Sequence, residues 1–124
     1  MLVVDDDPAL IESLRGPLEG HDVQLFAAVD APAAIAMLDQ RRFCGLVLDL
    51  VLEVGSGLDV LQHLTTYKVD VPTVVVTARL PSYVREMLDA ERVKLVFPKP
   101  VEPRLLAAIV LGMCGIGSHE ANEG

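Results

Sequence analysis

Four short apolar segments of the sequence are each followed by a side chain that could take part in chemistry. Three successive carboxylates, Asp5–Asp7, follow the first segment, and Asp49 follows a later one. Thr77 and Lys99 follow two more segments in the same way. A single Asp, Thr or Lys in such a place usually caps a helix, forms a turn or faces solvent. Three successive carboxylates are less easily explained, because their mutual repulsion costs energy unless a cation is near.

Taken together, these side chains would suit a cation-dependent phosphoryl site. Asp5, Asp6 and Asp49 offer only oxygen ligands, which Mg²⁺ prefers. Thr77 and Lys99, with a bound cation, could neutralise an incoming phosphoryl group. One carboxylate would remain to act as the nucleophile and form an acyl phosphate.

The apolar segments have the length and continuous hydrophobicity of strands buried on both faces of a parallel sheet. They are Met1–Val4, Val23–Phe26, Leu46–Leu48, Thr73–Val76 and Lys94–Phe97. Five stretches with helical spacing of apolar residues alternate with them. The pattern predicts an α/β fold of three layers, in which ligands bind at the carboxyl ends of the strands.

The helical stretches are indicated by small sets of apolar residues that share a face. These sets are Leu10, Leu14 and Leu18; Ala34, Met37 and Leu38; Leu58, Leu61 and Leu64; Val84 and Leu88; and Leu105, Leu106 and Ile109. Asp7 and Pro8 fit the cap and first position of the first helix, and Pro103 fits the first turn of the last.

Composition excludes several classes of protein. Eighteen acidic residues face ten basic ones, for a formal charge of -8, so this domain lacks the basic footprint that nucleic acid or an anionic membrane would need. No apolar run approaches the length of a membrane span, and no signal peptide is visible, which together predict a cytoplasmic location.

Two cysteines, Cys44 and Cys114, are too few for a disulfide scaffold and lack metal-site spacing. The sequence therefore predicts a reducing compartment, with Cys44 as a small buried hydrophobic residue.

The chain length of 124 residues predicts one domain. We assign it to residues 1–112 and expect residues 113–124, which are glycine-rich, to form a flexible tail or linker. The early start of the first strand and this tail favour an origin within a longer protein.

The motifs at the strand ends, in this order, resemble the receiver domain of bacterial response regulators, the CheY-like superfamily. They are Leu2–Pro8, Leu48-Asp49 followed by Gly57, Val76–Ala78, and Lys99-Pro100. The resemblance covers residues 1–111. It implies a flavodoxin-like, doubly wound five-stranded parallel sheet of order 2-1-3-4-5 with five helices.

The resemblance also implies a function in two-component signalling or a phosphorelay. Asp49 would be the phosphoacceptor, taking its phosphoryl group from a sensor histidine kinase or phosphotransfer protein. Asp5, Asp6, Asp49 and the backbone carbonyl of Val51 would hold Mg²⁺ or Mn²⁺. The domain would catalyse only its own phosphorylation and dephosphorylation, and so would not be an enzyme in the usual sense.

Further roles follow from the same resemblance. Thr77 and Lys99 would contact the phosphoryl group, and the Lys99–Pro100 peptide bond would be cis. An output domain or target protein would bind the face formed by the fourth helix, the fifth strand and the fifth helix, around Arg79–Ala90, Val96 and Arg104–Leu106.

The sequence departs from the family pattern at several positions. Leu52-Glu53 stand where the family usually has Met-Pro, and Ser56-Gly57 where it has Asp-Gly. Leu52 conserves volume, and Glu53 is expected to point to solvent.

The larger departure is Val96, which replaces the aromatic residue whose rotamer usually couples to the threonine. The aromatic switch of the family is therefore in doubt here. Phe97, the next residue, should point to the opposite face of the strand, toward the core.

Val51 and Arg79 occupy the two positions that tune the lifetime of the phosphoryl group in this family. Val51 has no polar group to orient an attacking water, and Arg79 is expected to cover the site. We therefore hypothesise slow self-dephosphorylation.

Two other functions remain open at this point. One is a Mg²⁺-dependent aspartyl-phosphate phosphatase of the haloacid dehalogenase kind, although Asp5–Pro8 lacks the last element of that motif and no cap domain is present. The other is a pseudo-receiver that binds partners without being phosphorylated, against which the complete set of five site residues argues.

Overall fold

The computed structural model describes residues 1–78 and 93–115 of the chain. Its centre is a parallel five-stranded sheet of order β2-β1-β3-β4-β5, as the resemblance implied. The strands are β1 (Leu2–Val4), β2 (Phe26–Ala28), β3 (Leu46–Leu48), β4 (Thr73–Thr77) and β5 (Val93–Pro98). The α/β architecture predicted from the apolar runs, and the doubly wound order that the resemblance implied, are therefore confirmed.

Four helices of the described residues cover the two faces of the sheet. They are α1 (Pro8–Leu18), α2 (Ala31–Gln40), α3 (Gly57–Thr66) and the C-terminal helix (Pro103–Met113). The predicted helix around Val84 and Leu88 lies outside the described residues.

Two apolar layers explain why the central strands carry unbroken hydrophobic runs. Leu2 and Val4 of β1 point to one face of the sheet, into a cluster that includes α2 and α3. Val3 points to the other face, into a cluster that includes α1 and the C-terminal helix. Successive residues of a strand alternate between faces, so a strand buried on both sides needs apolar residues at every position.

The helix starts follow the local signals of the sequence. The carboxylate of Asp7 accepts a hydrogen bond from the amide of Ala9 at 2.9 Å, and Pro8 opens α1, as predicted. Glu102 caps the C-terminal helix in the same manner, by accepting from the amide of Leu105 at 3.0 Å. Pro103 stands at the start of that helix, which confirms its predicted position.

The position of β2 differs from the prediction. Aromatic and β-branched residues favoured Val23–Phe26, but the strand is Phe26–Ala28, because Phe26 and Ala28 pair in register with Leu2 and Val4. Val23 instead packs against the cluster on the α1 face. Pairing with β1 thus outweighs the intrinsic preference of the residues.

The buried face of the C-terminal helix also differs in part. Leu105 is 49% exposed, whereas Leu106, Val110 and Leu111 are buried. The apolar stripe runs from Leu106 at helical spacing, and Leu105 lies one residue to its side.

The prediction for the cysteines is wrong. Cys44 is exposed and forms a disulfide bond with Cys114, 70 residues away in sequence. Both lie near the amino ends of the strands, since Cys44 precedes β3 and Cys114 caps the C-terminal helix. The topology joins them there, and spacing in the sequence gave no sign of it.

Two further expectations concern the chain end and membranes. Met113 and Cys114, assigned to the tail, belong to the C-terminal helix and its cap, whereas residues 116–124 lie outside the described part, so the tail stays a prediction. Among the helices that the structure describes, none has both the length and the apolar character needed to cross a membrane.

Candidate phosphoacceptor site

Three carboxylates meet where the first and third strands end. Asp5 is fully buried, Asp49 is 5% exposed and Asp6 is half-buried. Each offers a carboxylate oxygen that lies within 4.8 Å of one from each of the other two. The sheet order causes this convergence, because β1 and β3 are neighbours and their carboxyl ends point the same way.

Backbone hydrogen bonds fix where two of these carboxylates stand. The amide of Asp5 donates to the carbonyl of Ala28 at 3.1 Å, and the amide of Asp49 donates to the carbonyl of Val4 at 2.9 Å. One side-chain oxygen of each is also held, since Asp5 Oδ1 accepts from the amide of Asp7 at 2.9 Å and Asp49 Oδ1 from the amide of Val51 at 3.0 Å. The other oxygen of each carboxylate is turned toward Lys99.

Lys99 bridges two of the acids. Its ammonium nitrogen lies 2.7 Å from Asp5 Oδ2 and 2.7 Å from Asp49 Oδ2. Burial alone would lower the pKa of Lys99, but the hydrogen bonds to Asp49 and Asp5 outweigh it and raise the pKa above its ordinary value. Lys99 therefore stays protonated at neutral pH and balances part of the negative charge of the site.

Thr77 stands beside this group at the end of β4. It is 2% exposed, and its carbonyl accepts a hydrogen bond from the amide of Lys99 at 3.0 Å. The Lys99–Pro100 peptide bond is cis, as the resemblance implied. The ends of β4 and β5 thus lie together, and the ammonium of Lys99 reaches the acids that follow β1 and β3.

The loop between β3 and α3 is tightly built around the carbonyl of Asp49. A Cβ atom placed on Gly57 would lie 2.3 Å from that carbonyl oxygen, so no other residue fits there without displacing backbone. The amide of Gly57 also donates to the carbonyl of Leu50 at 3.0 Å. The sequence flagged Gly57 only as part of a motif, and this close approach to Asp49 is the role that sequence reasoning missed.

Ser56 replaces the aspartate that the family usually has before this glycine, and it performs the capping role. Its hydroxyl oxygen accepts from the amide of Leu58 at 3.1 Å, while Asp59 accepts from the amide of Ser56 at 3.0 Å. This reciprocal arrangement is a capping box. The start of α3 is therefore secured despite the departure.

The other departures in this loop also have simple structural outcomes. Leu52 is buried, as a residue conserving the volume of methionine should be, and Glu53 is exposed, as predicted. Val51 is 60% exposed. The backbone carbonyl of Val51 is the expected fourth protein ligand of the metal. The side chain of Val51 is aliphatic and offers no polar group to the site.

Two predicted positions remain: Val96, at the switch position, and Arg79, at a rate-tuning position. Val96 is exposed on β5, and Phe97 packs against the cluster on the α1 face, as strand alternation predicted. Arg79, expected to cover the site, lies outside the described residues.

The donor set suits a hard divalent cation. It consists of carboxylate oxygens, and two of the three carboxylates are buried. Mg²⁺ and Mn²⁺ favour such oxygen ligands, whereas softer metals favour sulfur or imidazole. The residues present thus fit the metal that the sequence predicted.

Curated relatives of this chain are response regulators. The protein named response regulator MprA from Mycobacterium avium is 39% identical over 79 residues, which are 64% of this chain and 35% of that protein. The protein of the same name from Mycobacterium leprae is 38% identical over 79 residues, which again are 64% of this chain and 35% of that protein. The chain spans about a third of the length of these relatives.

Solved receiver domains have the same fold. A CheY-like receiver domain protein from Methanospirillum hungatei superposes with a TM-score of 0.82 at 22% identity, over 99% of this chain and 96% of that one. The receiver domain of the sensor histidine kinase PA1611 from Pseudomonas aeruginosa, which has a magnesium ion in its active site cleft, gives 0.76 at 20% identity, over 92% and 95%.

A family model matches most of the chain. The model of the response regulator receiver domain matches residues 1–111, the span from β1 to the last turn of the C-terminal helix. That span contains every residue of the crevice described above. The chain therefore belongs to the response regulator receiver domain family.

Proposed function

We propose that this receiver domain takes a phosphoryl group onto Asp49 from a phosphohistidine of a sensor histidine kinase or phosphotransfer protein. The observation that carries the proposal is the position of Asp49, a nearly buried carboxylate hydrogen-bonded to Lys99 and grouped with Asp5 and Asp6. Such a group of carboxylates is costly unless positive charge offsets its mutual repulsion, and Lys99 alone supplies one such charge.

The transfer is a substitution at phosphorus. A carboxylate oxygen of Asp49 attacks the phosphorus atom, an O–P bond forms, and the N–P bond to the imidazole of the donor breaks. The imidazole leaves with the bonding electron pair and takes up a proton. The ammonium of Lys99, 2.7 Å from Asp49 Oδ2, is placed to offset negative charge on the transferred group.

Asp5, Asp6, Asp49 and the carbonyl of Val51 would hold Mg²⁺ or Mn²⁺. When bound, the cation supplies positive charge next to the phosphoryl oxygens. Without that charge, two buried carboxylates and a half-buried third would repel an anionic phosphoryl group. We therefore expect phosphorylation to require the divalent cation.

The consequence of phosphorylation is a change of partner affinity. The added charge of about -1.5 to -2 draws Thr77 and Lys99 inward and shifts a pre-existing equilibrium between two conformations. The output face would include Val96, Arg104 and Leu105, which are exposed. Leu106, expected on this face, is instead buried in the cluster on the α1 face, because the helix turns it toward the sheet. The remainder of that face, residues 79–90, lies outside the described residues.

Phosphate uptake from acetyl phosphate tests the proposal. Intact-mass measurement should show one phosphoryl group per wild-type chain with Mg²⁺ and none with a chelator. Asp49→Asn should abolish uptake. The matched control is Asp7→Asn, since Asn also caps helices well and Asp7 lies outside the carboxylate group.

Three outcomes would overturn it. Uptake that persists in Asp49→Asn would remove Asp49 as the acceptor, and no uptake by the wild type would indicate a pseudo-receiver. Release of many equivalents of phosphate from an aryl phosphate ester would indicate a phosphatase instead.

Val51 leads to a separate prediction about the lifetime of the phosphoryl group. Its exposed aliphatic side chain cannot orient a water for hydrolysis, so dephosphorylation should be slow. Val51→Asn, which adds an amide at the same position, should shorten the half-life measured by the decay of intact mass after the donor is removed. A wild-type half-life of seconds that Val51→Asn leaves unchanged would contradict the prediction.

A further inference from the structure

The disulfide joins two parts of the fold near the amino ends of the strands, whereas the acidic crevice lies at their carboxyl ends. Cys44 lies just before β3, and Cys114 is the C-cap of the C-terminal helix. Their Cα atoms are 4.9 Å apart, within the range that a disulfide needs. The backbone separation in the bonded form is thus an ordinary one for a disulfide.

Gly45 provides an independent sign that the helix end is fitted to this place. A Cβ atom on Gly45 would lie 3.0 Å from the terminal methyl of Met113 and 3.7 Å from the sulfur of Cys114. Met113 and Cys114 of the last turn thus pack directly against the segment before β3. The bond forms across a packed contact between two elements.

The disulfide also lies at the surface of the domain. Cys44 is exposed and Cys114 is half-buried. Exchange requires attack by a thiolate on one of the sulfurs, so accessible disulfides are the ones that small thiols reduce. A buried structural disulfide would be protected from that reaction.

We propose that Cys44 and Cys114 form a reversible redox clamp on the C-terminal helix. On oxidation by a low-molecular-weight disulfide, the two protein thiols lose two protons and two electrons, the S–S bond forms, and the small disulfide is reduced to two thiols. The reverse exchange reopens the clamp. In a reducing compartment the dithiol form dominates, and oxidation closes the clamp.

The clamp acts on the last turn of the helix and leaves the rest of the fold in place. Leu106 and Val110 are buried in the cluster on the α1 face, and we expect this packing to keep the domain folded when the disulfide is reduced. The amide of Cys114 donates to the carbonyl of Val110 at 2.9 Å, and that of Gly115 to the carbonyl of Gly112 at 3.1 Å. These terminal hydrogen bonds should open more often in the dithiol form.

The test compares the full chain equilibrated in reduced and in oxidised glutathione. Thiol counting should give two free thiols per chain in reduced glutathione and none in oxidised glutathione. At intermediate glutathione ratios, the thiol count should be the same whether the chain starts reduced or oxidised. The amide of Cys114 should exchange hydrogen at least about tenfold faster when reduced, and the melting temperature should fall by about 10 °C.

Cys44→Ser and Cys114→Ser are the matched variants. Both should behave as the reduced wild type in hydrogen exchange and melting. Oxidised glutathione can only convert their one remaining thiol to a mixed disulfide, so it should neither slow exchange at position 114 nor raise the melting temperature. Two free thiols under oxidising conditions, disulfides found only between chains, or unchanged exchange and melting on reduction would overturn the proposal. It does not depend on phosphoryl transfer, so loss of phosphate uptake would leave it standing.

Discussion

Lys99 shows how a single side chain can organise the crevice. It lies 2.7 Å from each of two acids that come from different parts of the chain. The sequence identified the residue types at the strand ends and therefore which side chains would meet. It could not show that Lys99 contacts both Asp5 and Asp49, because that depends on the positions of three chain segments in the fold and on the rotamer of the lysine.

Replacing Lys99 should expose the repulsion between the acids. In Mg²⁺-free buffer, Lys99→Met should lower the free energy of unfolding by about 3 kcal/mol, because two nearly buried carboxylates lose their ion pair. Urea unfolding followed by circular dichroism measures this, and added Mg²⁺ should restore part of the loss.

Lys68→Met is the matched control for that change. Lys68 is exposed, so its replacement should change the free energy of unfolding by less than about 0.5 kcal/mol. Equal effects of the two substitutions would contradict the account of Lys99.

Gly57 is the second residue whose identity the geometry dictates. Gly57→Ala should destabilise the protein by more than about 2 kcal/mol, because the new Cβ would meet the carbonyl oxygen of Asp49 at 2.3 Å. The backbone movement that makes room for the new Cβ should also displace Asp49 and reduce phosphate uptake.

Gly16→Ala provides the contrast. Gly16 lies within α1, and a Cβ there meets no atom within 4 Å. This substitution should stabilise the protein by about 0.5–1 kcal/mol through helix propensity. Thermal unfolding of both variants separates the two cases, and similar losses in both would show that the close approach at Gly57 is not the cause.

At the scale of elements, local sequence signals predicted the starts of helices better than the extent of strands. Asp7-Pro8 placed the start of α1 correctly, because capping depends on a few adjacent residues. The prediction for β2 failed, because strand limits depend on pairing with a neighbour, here β1, that a local pattern does not contain.

The capping box at α3 carries a prediction at the same scale. Ser56→Ala removes the acceptor for the amide of Leu58 and the donor to the carbonyl of Leu50, so it should cost about 1 kcal/mol of stability. Chemical denaturation gives the value.

Ser13→Ala is the corresponding control. Ser13 lies inside α1, where its hydroxyl donates to the carbonyl of Leu10, and alanine is a better helix former there. The substitution should therefore be nearly neutral or slightly stabilising. A larger loss at Ser13 than at Ser56 would count against the capping role.

At the scale of the whole molecule, the alternation of strands and helices predicted the doubly wound fold, because parallel strands buried on both faces leave an unbroken apolar pattern. The strand order came from the family resemblance, and the sheet confirms it. The contact between Cys44 and Cys114 was missed, because it joins segments 70 residues apart that only the folded topology brings together.

The convergence of strands β1, β3, β4 and β5 on one crevice is the feature on which the function rests. If the crevice works as proposed, the acyl phosphate must form on the carboxylate that follows β3 and on no other. The neighbouring acids Asp5 and Asp6 are then ligands and never acceptors.

Chemical trapping of the phosphorylated chain tests this most directly. Borohydride reduces an aspartyl phosphate to homoserine, and peptide mass mapping locates the altered residue. After incubation with acetyl phosphate and Mg²⁺, we predict homoserine at position 49 alone. Homoserine at position 5 or 6, or a phosphate on Thr77 that survives borohydride, would contradict the account.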